Sequence, residues 1–536
     1  MVIKERRKNM NNRKIQYSSI SMVFTVVVIA LILALNLFVT SVEDKLATKI
    51  DLSKKGLISI SQDTDIALKT LGDSFSTTIY FLTSEDLLES TGNEKIYMVH
   101  ELAKEYARRY PDCITIAYKD LNKDMAFLEK FKTKAQSTLT QDKIIVEGKY
   151  HAKIYEFSAF FVTDENSGEH FAFQGELKFT SAILQTAMNE DKQPIALFTS
   201  GHGETVKGIS IIDSKRSIVD YAVSAINDEE TYSAMVNAVP IFQMLDDSGF
   251  KIISADLSSE NIPENTDLVV VSSPKSDFQG YTQNLDASTK TEINKIDDFV
   301  KSFKSLVVIV GDNTPEKMPN LTELMWEEYG LGFEANNKIC DFDNCVLDGS
   351  SNGYDGLSVI ANYAEGKGSL EHSILVNATS SKTIFRDPVK IKIDEEKFGT
   401  GESISTFNTA SVFSKGEEVE KGEIPMLGVF CNYEFKHNNA LQYKRVFLIG
   451  SDEFLSPMYV SGEYGNPYIF YAIARTATNN EIIPDGITYI KLDDEGLNAE
   501  LLTSEVAQKW ALRVSLYIPV VILIAGAIVW LRRRHL

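Results

Sequence analysis

Two apolar segments, Ile20 to Val39 and Val514 to Leu531, sit near the two ends of this 536-residue chain and contain no charged residue. A bilayer core is crossed by about 20 mostly apolar helical residues, so each segment is expected to span a membrane. Lys4, Arg6, Arg7, Lys8, Arg13 and Lys14 precede the first, with Glu5 the one acid among them, and Arg532, Arg533 and Arg534 follow the second. Basic flanks mark the cytoplasmic side, which places both termini in the cytoplasm and the intervening stretch outside it. The first segment exceeds a secretory h-region in length, which favours an uncleaved anchor over a signal peptide, although Val39, Thr40 and Ser41 offer a weak cleavage site. Pro519 in the second is tolerated in a membrane helix.

The formal net charge is −21; the N-terminal tail contributes +5 and the arginine cluster +3, so residues 17 to 531 carry −29. An acidic exterior of that size repels phosphate backbones, and we expect no nucleic-acid partner. More than 470 residues between the spans exceed one core and divide into domains. Cys113 and Cys431 stand alone, while Cys340 and Cys345 are spaced for either a local disulfide or a free pair. Neither paired CxxC motifs nor clustered histidines point to a metal, and no cofactor is implied.

Periodicity divides the chain as follows. Residues 1–16 form a basic tail, 17–40 a transmembrane helix, 41–190 a first extracytoplasmic α/β domain and 191–495 a second. Residues 496–512 form a stalk, 513–531 the second membrane helix and 532–536 a basic tail. In the first domain helices are expected over Thr64–Leu71, Lys95–Tyr110 and Glu176–Met188. Strands are expected over Phe75–Leu82, Cys113–Tyr118, Asp142–Glu147, Tyr155–Val162 and His170–Phe173. The second domain carries near-continuous apolar runs at Ile195–Thr199, Asp267–Ser272, Leu306–Val310 and Lys444–Gly450, separated by helical patterns. Such runs suit a doubly wound, mostly parallel sheet covered on both faces. Residues 336–420, rich in Asn, Ser and Gly, read as a β-rich insertion.

Ligands of open parallel sheets bind beyond the carboxyl ends of the strands. Three turns stand there: Gly201-His202-Gly203-Glu204, Gly311-Asp312 and Gly450-Ser451-Asp452. Candidate ligand-binding residues are therefore Gly201, His202, Gly203, Glu204, Asp312 and Asp452. His202 and Glu204 are chemically suited to act as an acid/base pair or as two metal ligands. The plainer reading, which weighs more, is a tight glycine turn whose side chains satisfy backbone groups, with Asp312 and Asp452 as helix caps. No nucleophile elbow follows an apolar strand and no Walker phosphate loop occurs, so no catalytic residue is assigned and the chain is not itself an ATPase.

The order of several segments resembles a family. They are the N-terminal anchor, the stretch Leu57 to Leu71, Phe173-Gln-Gly-Glu176 with the following helix, and Ser200-Gly-His-Gly-Glu204. The strand Asp267 to Pro274, Arg445-Val-Phe-Leu-Ile-Gly-Ser-Asp-Glu-Phe454 and the closing Trp530-Leu-Arg-Arg-Arg534 complete it. Together they resemble the bacterial auxiliary components of ABC transporters typified by the gliding-motility protein GldG. The chain departs from that pattern in Ile58-Ser-Ile-Ser61, where similar members carry an aromatic followed by Ser-Leu-Ser, and in residues 336–420. The resemblance implies a non-catalytic subunit that partners an ABC ATPase and a multi-span permease and holds an α/β body outside the cytoplasmic membrane. Its ligand would be a small molecule, a peptide or an envelope polymer. Two rival expectations are an extracytoplasmic hydrolase built around His202, Glu204, Asp312 and Asp452, and a structural envelope tether.

Overall fold

The structure is a computed structural model that describes residues Leu57 to Leu492, apart from 73–74, 132–138, 164–169, 190–192, 207–208, 211–239, 283–289, 313, 347–354, 363–381, 399–401, 436–440, 457–463 and 479–489. Both expected membrane segments, the basic tails and the stalk lie outside the described residues. Among the described residues no helix is long and apolar enough to cross a membrane. The fold is mixed α/β with several sheets.

The N-terminal part begins with helix α1 (Gln62–Lys69), whose N-cap Ser61 accepts a hydrogen bond from the amide of Thr64. Strand β1 (Thr77–Phe81) leads through α2 (Glu85–Ser90) and α3 (Glu94–Arg109) to β2 (Ile114–Tyr118), which lies parallel to it. Asn93 caps α3 through its side chain, and Arg108 and Arg109 sit favourably at the negative end of the helix. After α4 (Met125–Glu129) come β3 (Lys143–Glu147) and β4 (Ala152–Glu156), giving a four-stranded sheet in the order β2-β1-β3-β4. The expected single strand over Tyr155–Val162 is divided. A 3-10 turn over Phe157–Phe160 separates β4 from β5 (Phe161–Thr163), and β5 pairs instead with β6 (His170–Phe173). Phe157, Phe160 and Phe161 are all buried, so this run obeys no period-2 rule that would distinguish a turn from a strand.

Helix α5 (Gly175–Ala187) closes this part and carries the segment Phe173-Gln-Gly-Glu176 at its start. Glu176 Oε1 accepts hydrogen bonds from the amide and hydroxyl of Ser61 and from the hydroxyl of Thr64, each at 2.7 Å. Thr180 continues the chain of contacts to Thr64 at 2.9 Å and to Tyr106 at 2.6 Å. Gly175 is required because a Cβ there would collide with the Phe173 ring and with Leu102. Two segments separated by more than 100 residues thus meet in one carboxylate clamp.

The C-terminal part holds a seven-stranded sheet. Strand β7 (Ile195–Ser200) is followed by a short ribbon of β8 (Thr205–Val206) and β9 (Ile209–Ser210), then by helix α6 (Pro240–Asp247) and β10 (Lys251–Asp256). Next come β11 (Thr266–Ser272), α7 (Glu292–Lys301), β12 (Ser305–Ile309) and α8 (Pro319–Tyr329). The insertion supplies β13 (Leu331–Cys340), β14 (Ser358–Ile360), β15 (Ile384–Arg386), β16 (Val389–Ile393), α9 (Glu395–Phe398), β17 (Glu402–Ser405), β18 (Ser411–Ser414) and β19 (Glu417–Lys421). Strands β20 (Pro425–Phe435) and β21 (Leu441–Ile449), helix α10 (Asn466–Ala477) and β22 (Ile490–Lys491) complete it. The sheet order is β10-β7-β11-β12-β21-β20-β17. The first five are mutually parallel and the last two enter antiparallel pairings. Helices α6 and α10 pack on one face, α7 and α8 on the other. A four-stranded sheet β16-β13-β18-β19 lies beside it.

The two parts interlock through α5. Its Lys178 forms an ion pair with Asp247 at 2.6 Å, both side chains being 2% exposed. Gln185 and Ser181 donate to the carbonyls of Asp246 and Asp247, satisfying the orphan end of α6. Burial pushes the Asp247 carboxyl up, while Lys178 holds it down. Near the end of the described residues the chain returns to the N-terminal part, where β22 pairs with β6.

Candidate functional site

Strand β10 flanks β7 on one side and β11 on the other, so the strand order reverses at β7. The crevice between the carboxyl ends of β7 and β11 is the topological switch point, where open α/β sheets bind ligands. The turn Gly201-His202-Gly203-Glu204 stands at that place. Gly201 and Gly203 have φ of +103° and +69°, a region glycine enters without strain. A Cβ on Gly201 would press on the Asp256 carboxylate at 3.0 Å, so the turn also lies tight against the end of β10.

The carbonyl of His202 accepts the amides of Lys275 at 2.8 Å and Ser276 at 3.1 Å, joining this turn to the one after β11. Its ring stacks on Phe278 with centroids 4.1 Å apart. The Nε2 edge lies 3.1 Å from Oε2 of Glu292, and the Nδ1 edge 3.4 Å from Oε1 of Glu204, ion-pair contact without hydrogen-bond alignment. The side chains of Glu204 and Glu292 are 0% exposed and that of His202 10%. Glu204 Oε2 also accepts the His202 amide at 2.7 Å, and Glu292 Oε2 the Gln279 amide at 2.8 Å. Burial of the ring works against its charge, but the close contacts with Glu204 and Glu292 and their negative charge outweigh it, raising His202 to about 9. At neutral pH the ring is an imidazolium between two carboxylates.

Glu292 is the first residue of α7, behind the N-cap Thr291, where the positive end of the helix favours an anion. Sequence reasoning did not single it out as a site residue. The signal was present as a Thr-Glu helix start, but nothing local says that this start faces a turn 90 residues earlier. Around the crevice, the hydroxyls of Thr199, Ser200 and Ser273 are buried and make no hydrogen bond among the described residues. Ser273 also takes φ of +43°, left-handed for a non-glycine residue, and its amide donates to Ile309.

The other two turns lie further along the same edge. Asp312 is half exposed and paired with Lys338 at 2.8 Å. Asp452 packs its carboxylate against Gly311, where a Cβ would collide with it, and Ser451 donates to the Arg386 carbonyl at 2.6 Å. The structure therefore brings Gly201, His202, Gly203 and Glu204 together with Glu292. It places Asp312 and Asp452 at the ends of β12 and β21, about 10 Å or more along the edge at the usual strand spacing. Among the described residues no group of three or more His, Cys, Asp or Glu side chains is arranged to hold a metal.

No protein-family model and no curated protein matches the chain. Among solved structures, the mmIFT52 N-terminal domain is similar over 53% of this chain and 97% of its own, with 14% identity and a TM-score of 0.33. PurLQS from Thermotoga maritima is similar over 53% of this chain and 99% of its own, with 11% identity and a TM-score of 0.25.

Proposed function

We propose that this chain is a membrane-anchored, non-catalytic accessory subunit of an ABC-type transport system that works by binding rather than by chemistry. One transmembrane helix at each end holds both termini in the cytoplasm and an acidic, two-domain α/β body outside it. Two spans are too few to enclose a translocation path, so an ATPase and a multi-span permease share the work. The body docks on the permease or presents the switch-point crevice to a small molecule, a peptide or an envelope polymer.

The observation that carries the binding reading is the state of His202. A general base needs a ring nitrogen free to take a proton near neutral pH. Here both nitrogens face buried carboxylates and the ring is charged up to about 9. The same contacts join the ends of β7 and β11 to the start of α7, which suits a preorganised binding edge. The test is affinity purification of the full chain from its native membranes in mild detergent. Recovery of an ATPase and a permease is expected; recovery of neither overturns the proposal.

A further inference from the structure

The hairpin β20–β21 is longer than the sheet that contains it. Strand β21 pairs with β12 from Arg445 onward, whereas its ladder with β20 runs outward through Tyr433 opposite Tyr443 to Phe435 opposite Leu441. Residues 432–435 and 441–444 thus form a two-stranded ribbon that projects beyond the amino-terminal edge of the seven-stranded sheet, by about 13 Å at the usual rise per residue. Alternation gives the ribbon two unlike faces. Tyr433, Phe435 and Tyr443 share one, with ring centroids 6.4 Å apart for Tyr433 and Phe435 and 5.9 Å for Tyr433 and Tyr443. Asn432, Glu434, Gln442 and Lys444 share the other. Tyr433 is 53% and Phe435 63% exposed. At the base, the Arg445 guanidinium lies 4.2 Å from the centre of the Tyr443 ring.

Two exposed rings cover at most about 150–250 Å² each, well short of the ~800 Å² per partner that a stable protein interface buries. The patch is therefore too small to hold a second copy or a free partner unaided. It is sufficient for a surface to which the chain is already tethered, because tethering replaces affinity with effective concentration. The position of the ribbon names that surface. Leu57 and Leu492, beyond which the sequence continues toward Ile20–Val39 and Val514–Leu531, both pack in the core of the N-terminal part. That part docks through α5 on the end of α6, beside the start of β10, which is the same amino-terminal edge from which the ribbon projects. Lys444 stands on the polar face of the ribbon and offsets Glu434 there, so the ribbon itself does not share the strong negative charge of the rest of the body.

We propose that Tyr433 and Phe435 seat the β20–β21 ribbon in the headgroup region of the bilayer that anchors the chain. The amino-terminal edge of the seven-stranded sheet then faces the membrane, and the His202 turn at the opposite edge faces away from it. Aromatic side chains favour this interface, where an apolar ring and a polar rim are both satisfied. The inference rests on the membrane-anchored reading above.

The test uses the full chain reconstituted in phosphatidylcholine–phosphatidylglycerol vesicles, with and without bromine on the acyl chains. Trp326, Trp510 and Trp530 are replaced by Phe, and Phe435→Trp supplies the sole fluorophore; Tyr433→Trp gives an independent reading if the first variant folds poorly. A further variant that keeps Trp530 alone reports the anchor. The proposal expects blue-shifted emission from Phe435→Trp that is lost in brominated vesicles, with Trp530 quenched as well. Quenching of Trp530 with a ribbon fluorophore that stays water-exposed overturns the proposal and leaves the anchor standing. A ribbon fluorophore unaffected by bromine yet shielded from acrylamide assigns the face to a protein partner and also overturns it. An unquenched Trp530 refutes the anchored reading itself, and the inference falls with it.

Discussion

Raising the pH should release the His202 latch, and the size of the effect follows from the site. The ring titrates at 6.5 when unperturbed and at about 9 in the folded protein. The folded state therefore binds a proton that the unfolded state has lost throughout that interval. Stability from the latch is complete below 6.5 and disappears as pH rises through about 9. At about 1.4 kcal/mol per pH unit the full interval corresponds to about 3 kcal/mol, which we reduce to about 2–3 kcal/mol because the ring rim touches water. The assay is denaturant unfolding of the detergent-solubilised chain between about pH 6 and about pH 10, with His202→Asn alongside to subtract every other titrating group. The gap between wild type and variant should shrink by that amount across the range. A gap that does not change with pH would refute the imidazolium assignment. NMR of the His202 ring in Glu204→Gln and in Glu292→Gln should show its titration moving down toward 6.5 in each.

Two further perturbations test the frame that holds the site. Lys178→Met leaves Asp247 as an unpaired buried carboxylate and should destabilise the chain by about 3–5 kcal/mol, while the double variant Lys178→Met with Asp247→Leu recovers most of the loss; thermal melts that show equal loss in both would contradict the ion-pair account. Glu176→Ala removes the acceptor of three hydrogen bonds around Ser61 and Thr64 and should cost about 2–4 kcal/mol, read as early hydrogen exchange in α1; unchanged exchange there would mean that the clamp contributes nothing.

The parallel strands were legible because burial on both faces leaves continuous apolar runs, and Ile195–Ser200, Thr266–Ser272 and Ser305–Ile309 carry such runs within a residue or two of the expected bounds. The division of Tyr155–Val162 was not, since Phe157, Phe160 and Phe161 are buried whichever local structure they adopt. The two antiparallel strands β20 and β17 escaped for a related reason. Their pairing partners are set by a long insertion whose contacts are non-local. At the site, the glycine turn announced itself through its spacing, whereas Glu292 and Phe278 arrive from elements 90 and 76 positions later in the chain. Chain topology alone makes them neighbours of His202. Glu176 is the reverse case, a residue noted in the sequence for its motif whose work, clamping Ser61 and Thr64, is visible only once the fold is drawn.

On the proposed reading this body serves other subunits, and the most direct test is the composition of the complex isolated through this chain from native membranes in mild detergent. An ABC ATPase and a multi-span permease in fixed proportion to it are expected. Isolation of the chain with neither, under conditions that keep other transporter complexes whole, would contradict that reading.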